Sequence, residues 1–143
     1  MPEKVRRGYV PTDAEQFNNE SITKLKAAQE ELLFLIDRGY PIKSAATFIG
    51  NHYLLSERQR LALVRATAAR SEVEMRLQKL ITGQRCDGCV YIDGLNLIIT
   101  LEVALSGSTL IRCMDGTIRD LAGLRGTYRL IDKTESAIHF IGD

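Results

Sequence analysis

No stretch of this chain approaches the roughly 20 consecutive apolar residues that a membrane-spanning helix needs. Its first residues, Met1-Pro2-Glu3-Lys4, lack the apolar run of a secretory signal. There is no excess of either charge: 19 Lys plus Arg stand against 18 Asp plus Glu, so a strongly basic nucleic-acid footprint is absent overall. Cysteine is scarce and odd in number, with Cys86, Cys89 and Cys113 only, which excludes a disulfide scaffold and points to a reducing, cytoplasmic setting. Histidine is scarcer still; His52 and His139 stand alone and cannot form the His-Glu-x-x-His zinc helix. Neither a phosphate-binding Gly-x-x-x-x-Gly-Lys-Ser/Thr loop nor a Gly-x-Gly-x-x-Gly turn occurs, and there is no Gly-x-Ser-x-Gly nucleophile elbow.

What is present is an ordinary amount of apolar material, 45% of 143 residues, enough for a packed core and too much for a disordered tail. Charge is unevenly spread. Residues 1–85 hold 14 basic and 10 acidic side chains, net +4, whereas 86–143 hold 5 and 8, net −3. The offset fits either two surfaces that differ by a few charges or a basic arm beside a carboxylate site.

The first half reads as helical. Thr12-Asp13-Ala14-Glu15 has capping-box form, and apolar residues recur at helical spacing from about residue 21 to Ile36. Arg38-Gly39-Tyr40-Pro41 ends that helix, and a second is expected over 42–49, stopped by Gly50-Asn51. Ser56-Glu57-Arg58-Gln59 is another capping box, opening a predicted helix over 57–81 that carries Arg58, Arg60, Arg65 and Arg70. These arginines spread over a wide arc; they suit a solvated face, or contact with a phosphate backbone. Arg7-Gly8-Tyr9-Val10-Pro11 echoes residues 38–41, and both read as helix-flanking turns.

From Thr82 the pattern changes. Cys86-Asp87-Gly88-Cys89 is a Cys-x-x-Cys without a second pair, so free thiols are expected over a zinc or redox site. Cys89-Val90-Tyr91-Ile92 suits a buried strand, and residues 95–105 favour a helix. Residues 110–114 read as a strand and 117–124 as a short helix. A third strand is expected over 126–131, and a helix starts at Thr134.

Two groups of residues carry a family resemblance. The first is residues 38–41 with Phe48-Ile49-Gly50-Asn51-His52-Tyr53 and Leu55–Arg60. The second is Ile92-Asp93-Gly94-Leu95-Asn96, Glu102–Gly107, Asp115-Gly116, Arg119-Asp120 and Gly126-Thr127-Tyr128-Arg129. Together they resemble an uncharacterised prokaryotic family in which a helical domain of unknown function precedes a region that looks like the PIN and NYN nuclease domains. The resemblance covers about residues 6–141. It implies an α+β or α/β chain, with a three-helix subdomain over 1–83 followed by a partial PIN-like α/β segment with few strands over 84–143. It further implies a truncated member whose open sheet edge favours a homo-oligomer or a completing segment.

The same resemblance implies chemistry. In PIN-like enzymes an Asp beyond the first strand binds Mg²⁺ or Mn²⁺ with other carboxylates, and the metal activates a water for attack on RNA. Asp93 matches that position, with Asn96 to orient it. Asp115 and Asp120 are the next expected metal ligands, and Glu102 is a more remote carboxylate. Arg119, with Arg58 and Arg60, is the expected nucleic-acid contact. Against this stands a plainer reading: Asp-Gly is an ordinary turn dipeptide that occurs three times here, and Asp93 could simply cap a helix. The alternative to a nuclease-like protein is a non-catalytic module that binds nucleic acid or assembles with protein.

Overall fold

A computed structural model of the chain describes residues 4–83 and 87–142. Among them are seven helices and one two-stranded sheet: α1 (Asp13–Gln16), α2 (Asn19–Ile36), α3 (Ile42–His52), α4 (Glu57–Ala66), α5 (Arg70–Gln78), α6 (Gly94–Leu105), β1 (Leu110–Arg112), β2 (Ile118–Asp120) and α7 (Thr134–Gly142). This is an α+β fold with few strands. The chain divides into two compact units. A helical unit comprises the described residues of Thr12–Arg85 with Ile111–Arg119. A second unit comprises those of Met1–Pro11, Cys86–Leu110 and Asp120–Asp143.

The helical unit is built on α2. Asn18 caps it, its side chain accepting from the Ser21 N–H at 2.9 Å. Leu25, Ala28 and Leu32 fall on one face and pack with Ala45, Ala46 and Ile49 of α3 and with Leu55 and Leu63. Alanine at 28, 45 and 46 lets the helix backbones approach closely. Gly39, at φ +87°, supplies the left-handed residue that ends α2.

Three local expectations change, and one holds. The Thr12 side chain does not cap α1; its Oγ1 instead accepts from Gln16 Nε2 at 2.6 Å. Helix α3 continues through Gly50 to His52, because Gly50 is buried as a packing residue beneath Arg60. A Cβ there would lie 2.4 Å from Arg60 Nη1. Ser56 and Gln59 do form a reciprocal capping box. The predicted helix over 57–81, however, breaks at residues 67–69. The Ala66 carbonyl accepts from the Met114 N–H at 3.0 Å, and the Arg70 N–H donates to Asp37 Oδ1 at 2.9 Å. Both groups would bond to each other in a continuous helix. The unit therefore holds five helical segments rather than three.

In the second unit, α6 forms as its periodicity predicts. The expected strand over 89–92 does not form. Val90, Tyr91 and Ile92 are 75%, 96% and 55% exposed, and no ladder among the described residues takes up their backbone. Residues 118–120 are strand β2 rather than helix, and the expected third strand over 126–131 is irregular apart from a single bridge residue at Ile131. Thr134 opens α7, its Oγ1 accepting from the Ile131 N–H at 2.9 Å. Among the described residues, no helix is long and apolar enough to cross a membrane.

Candidate functional site

The start of α6 carries the first expected site residue. Asp93 is the residue preceding the helix and is exposed, but its side chain caps no backbone N–H. Its Oδ2 instead accepts from Asn96 Nδ2 at 2.6 Å. One turn further on, Thr100 Oγ1 lies 3.1 Å from the Asn96 carbonyl and 3.1 Å from Asp120 Oδ2. Asp120 Oδ1 accepts from the Ala122 N–H at 2.9 Å. Asp93, Asn96, Thr100 and Asp120 thus form a polar ridge along the first two turns of α6. Asp93 and Thr100, the residue that holds Asp120, stand about 10 Å apart along the helix axis. Ligands to one Mg²⁺ or Mn²⁺ must come within about 5 Å of each other across the ion.

Asp115 belongs to the helical unit, and its oxygens are already engaged. Oδ1 accepts from the Thr117 N–H at 3.0 Å and from Thr117 Oγ1 at 2.6 Å, while Oδ2 pairs with Arg76 Nη1 at 2.9 Å. The Thr117 hydroxyl, with the Thr117 N–H and Arg76, lowers its pKa to about 2. Among the described residues, no group of three His, Cys, Asp or Glu side chains could hold a metal ion. Asp93 and Asp120 lie in the second unit and Asp115 in the helical unit. Cys86 lies outside the described residues; Cys89 is an exposed free thiol, and Cys113 is free and buried.

The arginines are likewise committed to their own unit. Arg58 grips Asp13 with two parallel bonds, Nε to Oδ1 at 2.9 Å and Nη2 to Oδ2 at 2.8 Å. Arg60 closes the end of α3: Nε donates to the Leu55 carbonyl at 2.9 Å and Nη2 to Asn51 Oδ1 at 2.9 Å. Holding phosphate would cost both side chains these bonds. Arg119 is exposed on β2.

Sequence reasoning gave little weight to the most heavily bonded polar group in the second unit. Glu102 lies in the apolar run of α6 and is fully buried. Its Oε2 pairs with Arg7 Nε at 2.8 Å, and its Oε1 accepts from Tyr128 Oη at 2.9 Å and from Thr134 Oγ1. The Arg7 guanidinium carbon sits 4.9 Å from the Tyr128 ring centroid, and its Nη2 donates to the Arg129 carbonyl. Burial, with the Glu102 carboxylate bonded to it, raises the Tyr128 phenol above its ordinary pKa. A lone carboxylate among eleven mostly apolar residues was the available signal; its partner, 95 positions earlier, was not. The network joins α6, α7, the 128–129 segment and the N-terminal arm.

Comparison with known proteins places this architecture among uncharacterised domains. Residues 24–79 match a family described as a protein of unknown function (DUF434), and residues 83–143 match a domain of unknown function (DUF5616). Together they support an uncharacterised family, and neither match is to a PIN or NYN nuclease domain. The chain is 33% identical over 118 residues to the uncharacterised protein MJ0935 of Methanocaldococcus jannaschii, a match covering 82% of this chain and 57% of that protein. The chain thus spans little more than half the length of this relative. No solved structure matches.

Proposed function

We propose that the chain is a non-catalytic protein-assembly module, working in the cytoplasm. One observation carries this reading. The second unit leaves large apolar side chains in solvent: Tyr91 is 96% exposed, Ile92 55%, Leu95 52%, Leu130 67% and Phe140 60%. Large apolar side chains left in solvent supply area that a protein partner would cover. The side chains expected to bind phosphate or metal are, by contrast, largely spent on internal bonds. The test is sedimentation velocity on the chain and on Tyr91→Asp. Concentration-dependent association, weakened in the variant with unchanged circular dichroism, supports the reading. A wild-type chain that stays monomeric up to about 200 µM, where micromolar affinities are visible, overturns it.

A ribonuclease-like protein dependent on Mg²⁺ or Mn²⁺ is the second reading, favoured by the exposed Asp93–Asn96 pair at the start of α6. Arg119 would be its free cationic contact to RNA. Calorimetric Mn²⁺ titration of the chain and of Asp93→Ala decides it. Binding that disappears in the variant supports a carboxylate site; identical titrations refute it.

A further inference from the structure

The two-stranded sheet has an edge with no partner strand among the described residues. The Cys113 N–H donates to the Thr117 carbonyl at 2.9 Å, and bonded pairs in an antiparallel ladder fall at alternate residues. Leu110 and Arg112 of β1 therefore turn their N–H and C=O groups away from β2. An edge of this kind is a template for one more strand, and main-chain bonding, rather than apolar contact alone, selects what can occupy it.

The chain also carries a segment of strand composition that joins no ladder among the described residues, Val90-Tyr91-Ile92. Exposed acids flank it, Asp87 and Asp93, and β1 ends on exposed Arg112. Laid parallel along β1, one register sets Tyr91 beside Leu110, Ile92 beside Ile111 and Asp93 beside Arg112, so apolar meets apolar and acid meets base. Asn96 holds Asp93 Oδ2, which leaves Oδ1 for Arg112. The antiparallel register over the same residues opposes Asp93 to Leu110 and loses the ion pair. We infer that residues 91–93 of one copy add to the open edge of β1 in a second copy as a third strand. The inference rests on the assembly reading above and names the partner surface for its Tyr91 segment.

The experiment combines sedimentation velocity on the 143-residue chain with amide exchange measured across the same concentrations. Association is expected to slow exchange within 91–93 and at Arg112. Arg112→Pro should abolish association. Its N–H points away from β2, so proline there removes no bond of the hairpin, and edge strands tolerate proline. Asp93→Arg and Arg112→Asp should each weaken association by about fivefold, and the double variant carrying both should restore it. Circular dichroism checks that each variant folds; if Arg112→Pro does not, the charge exchange decides. Association that persists unchanged in Arg112→Pro, or a double variant no tighter than the single ones, overturns this strand pairing and leaves the assembly reading standing. Slow exchange at 91–93 in a chain that stays monomeric overturns both, because the edge is then filled from within one copy. A wild-type monomer with fast exchange at 91–93 also overturns both.

Discussion

Replacing Glu102 by leucine removes one carboxylate and strands three polar groups. Arg7, 6% exposed, would keep a buried charge with no counter-ion, and the Tyr128 and Thr134 hydroxyls would lose their acceptor. Breaking one side of a buried ion pair costs about 3–5 kcal/mol. The second unit has about 60 residues, and domains hold roughly 0.05–0.15 kcal/mol per residue, so its whole stability is roughly 3–9 kcal/mol. Glu102→Leu is therefore expected to unfold most or all of that unit. Glu102→Gln, which keeps an acceptor for Tyr128 and Thr134, should cost less. The double variant Arg7→Met/Glu102→Leu removes both charges and should recover at least about 2 kcal/mol relative to the sum of the single changes. Urea unfolding followed by circular dichroism, with amide exchange of α6 and α7 as the local readout, measures the wild type, these three variants and Arg7→Met alone. A loss below about 1 kcal/mol in Glu102→Leu, or strict additivity in the double variant, would refute the argument that this network holds the unit together.

Three further outcomes are expected. Asp115 titrates near 2 in the folded chain against an ordinary 3.8, so its contribution is fully present above the higher value and is lost as pH falls through the lower one. That contribution is at most about 2 kcal/mol, discounted because Arg76 is 43% exposed; Asp115→Asn should flatten the acid limb of the stability profile, and an unchanged limb refutes it. Gly8 sits at φ +72° with a Cβ position 3.2 Å from Val103 Cγ2, so Gly8→Ala should cost about 1–2 kcal/mol in thermal or urea unfolding, and a neutral change refutes it. In a Cys86→Ser background, exposed Cys89 should react quickly with a thiol reagent. Cys113 should react slowly, because burial raises its thiol pKa despite the Thr117 bond, so equal rates would contradict the structure.

Sequence alone determined what depends on neighbours within a few residues. The Ser56–Gln59 box, the glycine stop at Gly39 and helix α6 were all legible because caps and helical periodicity act over one or two turns. Tertiary structure decided the rest. The break after α4 exists because Met114 and Asp37, distant in sequence, take the hydrogen bonds that would have continued the helix. The 89–92 run has β-branched and aromatic composition but no strand beside it among the described residues, and a strand needs a partner that composition cannot supply. The site residues follow the same division. The Asp93–Asn96 pairing lies within one turn and was visible in the sequence. The commitments of Arg58 to Asp13, Arg76 to Asp115 and Arg7 to Glu102 span 39 to 95 residues, and only the folded chain brings such charges close enough to pair.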